Sequence, residues 1–161
     1  MKIGIISDTH NYFDHKLKDF LADVDEIWHA GDIGSLKLAD EIALFKPLCA
    51  VYGNIDNAET RVVYPEYLQF QRESVSIAMA HITGYPGKYS KLAKDLMTNK
   101  PNILVGGHSH ILKVIYDKKN DLLFINPGAA GINGFHKVRT ALRFNINNGN
   151  IADMEIGEWS R

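Results

Sequence analysis

Polar side chains stand just beyond apolar, strand-like runs at Asp8, His10, Asp32, Asn54, His81, His108 and His110. Their types suit a metal centre. Carboxylate and carboxamide oxygens with imidazole nitrogens fit divalent manganese, zinc, iron, cobalt or nickel, and no thiolate accompanies them. Two such ions held about 3.5–4 Å apart repel each other and need a carboxylate between them; together they acidify a shared water into a nucleophile. Asp32, in the run Ile27-Trp28-His29-Ala30-Gly31-Asp32-Ile33-Gly34, is the carboxylate placed for that position. A single strand-end histidine is more often a packing or surface residue. The set as a whole is what points to chemistry.

The spacing within Asp8-Thr9-His10 and His108-Ser109-His110 predicts extended segments whose alternate side chains point the same way. Gly31 is expected to allow a sharp turn, and Gly106 and Gly107 to allow the bend that presents the second pair.

These residues need a frame of strands. Lys2 to Ile6, Glu26 to His29 and Leu48 to Tyr52 read as buried strands. Between them lie helical patterns over Lys16 to Leu21, capped by Asp14, and after Ser35, with Pro47 beyond the second. This alternation predicts an α/β sheet with its site at the carboxyl edge. In the second half, Tyr67 to Arg72 and Val75 to Ala80 form strands, and a helix runs from about Ser90 to Met97. Ile103 to Val105 is another buried strand. Leu112 to Tyr116 pairs with Leu122 to Ile125, and Thr140 to Ile146 with Ile151 to Ile156 across Asn147-Asn148-Gly149-Asn150. These ten strand-like runs are too many for one comfortably covered open sheet, so two sheets packed face to face with helices outside are expected.

The chain has 161 residues, and neither linker nor repeat divides it, so residues 1–161 are expected to form a single domain. A net charge of −1 without a basic tract argues against stable nucleic-acid binding or attraction to an anionic membrane. One cysteine, Cys49, excludes an intrachain disulfide and suits a reducing compartment; it reads as a small buried hydrophobe. The short apolar run before Asp8 is no signal peptide or membrane span, and a cytoplasmic location is expected.

As an ordered set, Asp8-Thr9-His10, Gly31-Asp32, Gly53-Asn54, His81 and Gly107-His108-Ser109-His110 resemble the motifs of the calcineurin-like metallophosphoesterases. The short length and the Asn126-Pro127-Gly128 loop resemble its small YfcE-like phosphodiesterase branch. The resemblance spans Asp8 to about Gly128 and implies a four-layer αββα sandwich, two mixed sheets flanked by helices. It implies that Asp8, His10 and His110 hold one metal, that Asn54, His81 and His108 hold another, and that Asp32 bridges. Asn54 and His81 would thereby serve catalysis as well as binding. The implied reaction is in-line attack on phosphorus by a metal-bridging hydroxide, with manganese the first expectation for the metal. The implied partner is a small-molecule phosphate ester; homo-oligomerisation is left open.

Many relatives carry a proton-donating histidine directly after the Gly-Asn pair. Ile55 stands here instead and cannot transfer a proton, which favours diesters with leaving groups needing little help. Asp56 remains to orient a neighbour. His136 reads as a replacement donor or as an exposed loop histidine, and Arg139 as a phosphate contact or, with Arg143, as the solvent face of a strand. His29 either supports the site or points away from it, and His15 reads as helix surface. Tyr85, in Gly84-Tyr85-Pro86-Gly87, stacks on a base or aryl group or packs its loop, while Trp28 and Trp159 read as packing residues. A phosphomonoesterase of the same family is the main alternative, and a non-catalytic scaffold of the same fold, as in the retromer complex, a lesser one. A metallo-β-lactamase-like hydrolase lacks support, because no His-x-His-x-Asp-His run is present.

Overall fold

Strand periodicity decides the layering. In the computed structural model, which describes residues 1–161, β1 (Lys2–Ile6) turns Ile3 and Ile5 to one face, while Ile6 and the side of Gly4 face the other. Both faces are covered from Ile3 onward, which is why the run is apolar there and only Lys2, at its open end, is charged. Strands β2 (Glu26–His29) and β3 (Leu48–Ala50) follow in parallel with β1. The long C-terminal hairpin, β11 (Val138–Asn147) and β12 (Asn150–Ser160), joins the other side of β1 antiparallel and completes a sheet ordered β12-β11-β1-β2-β3. Its turn has Asn148 and Gly149 at φ 49° and 84°, the left-handed pair that Asn-Gly supplies.

The second sheet is ordered β4-β5-β8-β10-β9. It comprises β4 (Tyr67–Arg72), β5 (Val75–Ala80), β8 (Ile103–Val105), β9 (Leu112–Asp117) and β10 (Leu122–Pro127), with β5, β8 and β10 parallel. Ile3, Ile5, Trp28, Ile77, Met79, Val105, Ile125 and Phe144 fill the space between the sheets. Each such burial contributes about 1.5–3 kcal/mol. Across the same gap, buried Glu26 of the first sheet accepts from Trp28 Nε1 at 2.8 Å and from Arg72 of the second at 2.9 and 3.0 Å.

Helices cover the outer faces. Helix α1 (His15–Phe20), capped by Asp14, and α2 (Leu36–Phe45), capped by Ser35, pack Leu17, Leu38 and Ile42 on the first sheet. Helix α4 (Lys91–Met97), capped by Ser90, packs Ala93 and Leu96 on the second. The four layers are therefore αββα, as expected. No helix is long and apolar enough to cross a membrane.

Two elements depart from the sequence reading. Helix α3 (Ala58–Val63) has no apolar period, because Val62 and Val63 face solvent, and only the Asn57 cap accepting from Thr60 N signals it. The loop after His81 forms a small ribbon, β6 (Gly84–Tyr85) with β7 (Lys88–Tyr89), too short to leave an alternation. Cys49 is half-buried beside Glu26 and Arg72; burial, then the Glu26 carboxylate, pushes its thiol up to about 12, so it is no nucleophile at neutral pH.

Candidate metal centre

The parallel strands bring the seven polar residues to one edge, each just past the carboxyl end of β1, β2, β3, β5 or β8. The backbone there is not extended. Asp8, His10, Asp32, His108 and His110 have φ values of 54°, 45°, 55°, 67° and 58°. Left-handed conformations at non-glycine residues cost of order 1–3 kcal/mol each and concentrate at functional sites. The two-residue spacing therefore works through paired left-handed turns rather than through strand alternation. Gly31 does turn sharply, at φ 94°, whereas Gly106 and Gly107 serve a different purpose from the expected bend. A Cβ on them would lie 2.0 Å from Thr83 Oγ1 and 2.1 Å from Ser7 Oγ.

The side chains gather in two groups. Donor atoms of Asp8, His10 and His110 lie within 4.8 Å of one another, and those of Asp32, His81 and His108 do likewise. Asn54 Oδ1 is 3.1 Å from His81 Nε2, which adds it to the second group. Asp32 Oδ2 faces both groups, 3.7 Å from His10 Nε2 and 3.3 Å from His81 Nε2. The other oxygen of Asp32 accepts from Ile55 N at 3.0 Å, so the carboxylate is held in place.

Hydrogen bonding fixes which imidazole nitrogens face inward. His81 Nδ1 lies 2.7 Å from the carbonyl oxygen of Ala30, which can only accept, so Nδ1 carries the proton. The bare Nε2 then looks at Asn54 Oδ1, Asp32 Oδ2 and, at 3.9 Å, Asp8 Oδ1. His136 Nε2 donates to Gly131 O at 2.9 Å, leaving its Nδ1 to accept from His110 Nδ1 at 3.1 Å. His110 Nε2 is thereby bare too, 3.1 Å from Asp8 Oδ1. Lone pairs that face lone pairs need a cation between them. Burial opposes charge at both His81 and Asp32, but the facing carboxylates raise the His81 pKa and the imidazole lowers that of Asp32. A proton on His81 would answer part of this demand. It cannot serve Asp8 Oδ1 and His10 Nε2, which are buried without any hydrogen-bond partner. Oxygen and imidazole donors left this way fit a divalent ion in the first group, and Asn54, Asp32 and His81 converge as a donor set of like chemistry in the second.

The loops are pinned to one another. Asp56, buried, accepts from the backbone N–H groups of Ile33, Gly34 and Gly53, tying the Asp32 loop to the Asn54 loop. His29, also buried, accepts at Nδ1 from Gly31 N and donates from Nε2 to Thr9 Oγ1, whose hydroxyl donates to Ile33 O. It supports the site and does not point away. Asn126 donates to Gly107 O and Ser109 Oγ and so positions the His108 loop. Thr9 and Asn126 had no distinguishing signal in the sequence as positioning residues, since their roles depend on loops meeting in space.

Three peripheral expectations are changed or sharpened. His136 lies at the rim beside His110, but with both ring nitrogens engaged it has no proton to hand to a leaving group. Burial, only partly offset by the hydrogen bond to Gly131 O, lowers its pKa. Arg139 does not contact the site or face solvent: it is 2% exposed, pairs with both oxygens of Asp14 at 2.9 and 3.0 Å, and donates to Ala130 O. Ile55 lines the mouth of the site at 44% exposure. His15 is exposed, Trp28 is buried, and Trp159 packs edge-on against Phe20, as expected.

A donor set of this kind on this frame is that of a metal-dependent phosphoesterase. Residues 1–149 match the model of the calcineurin-like phosphoesterase superfamily domain, and the chain belongs to that superfamily. It is 30% identical over 135 residues to a probable metallophosphoesterase of Methanothermobacter thermautotrophicus, covering 80% of this chain and 77% of that protein. A phosphodiesterase of Methanocaldococcus jannaschii is 26% identical over 144 residues, covering 80% of this chain and 83% of the relative. Among solved structures, Vps29 of Entamoeba histolytica, crystallised with zinc, superposes with a TM-score of 0.76 at 16% identity over 99% of each chain. That likeness shows the fold.

Proposed function

We propose that this protein is a phosphodiesterase that works with two divalent cations and acts on a small phosphate ester in the cytoplasm. Asp8, His10 and His110 would hold one cation and Asn54, His81 and His108 the other, with Asp32 between them. The observation that carries this reading is the set of inward-facing ligand atoms on Asp8, Asp32, His10, His81 and His110, two of them (Asp8 Oδ1 and His10 Nε2) buried with no partner. Such ions, when bound, supply a nucleophile by acidifying water and neutralise phosphoryl oxygens; manganese is the first to test, since the donors are oxygen and imidazole.

The chain's own residues do the rest. Ala30 O and His136 hold the His81 and His110 rings in the tautomers that present bare Nε2 atoms. Ile55 N steadies the Asp32 carboxylate. Of the two side chains considered for the leaving oxygen, Ile55 carries no proton and His136 has both nitrogens engaged, so neither offers a mobile one. An ester with a self-stabilised leaving group suits such a site. The exposed apolar rim of Ile55, Ile111 and Phe135 favours a second organic substituent on phosphorus, which a diester has and a monoester lacks.

The test is hydrolysis of an aryl phosphodiester and the matching aryl monoester by purified protein with Mn²⁺. Faster turnover of the diester is expected. Hydrolysis of neither with any first-row metal would refute the enzyme reading, and much faster turnover of the monoester would refute the diester reading.

A further inference from the structure

A second cavity, of about 240 Å³, adjoins the metal site and shares with it the wall formed by His108, Ser109 and Ile111. Its other walls are largely apolar: Ile82, Tyr85 and, at its base, buried Phe124. Tyr85 lies on the small ribbon after His81 and keeps 44% of its surface exposed, so its ring is not consumed by packing. One charge enters the cavity. Lys113 Nζ lies over one face of the Tyr85 ring, 4.4 Å from its centre, and pairs with no carboxylate, so the opposite face of Tyr85 is the one open to a second ring. Ser109 Oγ already accepts from Ile111 N and Asn126 Nδ2, which leaves its hydroxyl hydrogen to donate.

We propose that this cavity is the subsite for an aromatic substituent of the substrate ester, one that carries an anionic or carbonyl oxygen for Lys113. The proposal rests on reading the adjoining site as one that binds phosphate esters. The two cavities lie on either side of the exposed His108, Ser109 and Ile111, so a group bonded to phosphorus at the metal site can extend over these side chains toward Tyr85. Whole ligand pockets occupy about 300–1,000 Å³, so a smaller cavity suits one ring system rather than a complete ligand. Apolar walls with a single cation select a flat ring bearing an acceptor at its edge over a polyol or a short alkyl chain. Stacking against an aromatic side chain is worth about 1–3 kcal/mol by alanine substitution, so a preference of about tenfold is expected.

The experiment is calorimetric binding of methylphosphonate, benzylphosphonate and 4-carboxybenzylphosphonate to the Mn²⁺-loaded protein, which needs no turnover. Benzylphosphonate should bind about tenfold tighter than methylphosphonate, and the carboxylated ring about threefold tighter again. In Tyr85→Ala the first preference should vanish, while Tyr85→Phe should keep it. In Lys113→Met only the second should vanish. Equal binding of methyl- and benzylphosphonate to the wild-type protein would overturn the subsite and leave the metal reading standing. Equal effects of Tyr85→Ala on both ligands would likewise overturn it. Binding of no phosphonate at all would overturn the phosphate-ester reading, and the subsite with it.

Discussion

The Nδ1 atoms of His110 and His136 face each other at 3.1 Å, and only one proton lies between them. Because His136 spends its Nε2 proton on Gly131 O, that proton belongs to His110, and His110 must turn a bare Nε2 toward Asp8. His136 is thus a positioning residue. His136→Ala should weaken metal binding at the Asp8–His10–His110 group by about 10–100-fold, the usual effect of removing a ligand's hydrogen-bond partner. The other group should change little. Stepwise metal titration by calorimetry separates the two.

Gly53 lies against Asp32 so closely that a Cβ there would sit 2.0 Å from Asp32 Oδ1 and 2.3 Å from its backbone nitrogen. Gly53→Ala must therefore move the carboxylate that faces both groups. It should weaken both metals, whereas Asn54→Ala should chiefly disturb the second. Thermal melts of the metal-free variants, run beside the titrations, distinguish displacement of Asp32 from loss of the fold.

Burial holds the His29 pKa at about 4, below the ordinary 6.5, and its Nδ1 must stay bare to accept from Gly31 N. The unfolded chain therefore binds a proton that the folded chain refuses. Stability from this group is complete above about pH 6.5 and is lost as the pH falls toward 4, by roughly 3 kcal/mol in all. Urea unfolding from pH 7.5 to 4 in a chelator measures the slope. His29→Gln should flatten it over that window.

Arg139 and Asp14 form a bidentate pair that also ties the Ala130 loop, behind the Asp8 turn, to the start of α1. The guanidinium, chiefly by hydrogen bonding, holds Asp14 at about 2, against an ordinary 3.8. Arg139 is buried but Asp14 only partly so, and removing the guanidinium should cost less than the ~3–5 kcal/mol of a fully buried pair. Arg139→Met should lower stability by that lesser amount, while KM in the surviving folded enzyme stays near the wild-type value. A large rise in KM without loss of stability would restore the phosphate-contact role that the geometry removes.

Much of this was legible in the sequence because strands buried on both faces leave continuous apolar runs, and the ligands interrupt those runs at their ends. Ile3 to Ile6 followed by Ser7 and Asp8 is one such break, and Leu104-Val105 followed by Gly106, Gly107 and His108 is another. The caps Asp14, Ser35 and Ser90 were equally plain. What the sequence could not show is which side chains meet across distant loops. Arg139 looked like a strand-face or site residue until its partner proved to be Asp14, 125 residues away. His136 looked like a donor until both its nitrogens were found engaged. The left-handed backbone at Asp8, His10, His108 and His110 left no trace either, because none of them is glycine.

The most direct test of two cations organised around Asp32 is the metal content of purified protein equilibrated with Mn²⁺ and desalted, compared with Asp32→Asn. The wild-type chain should retain two ions, and the variant should lose both together, with diester hydrolysis abolished. A wild-type protein that keeps no metal, or an Asp32→Asn variant that still holds two ions with unaltered affinity, would contradict the account.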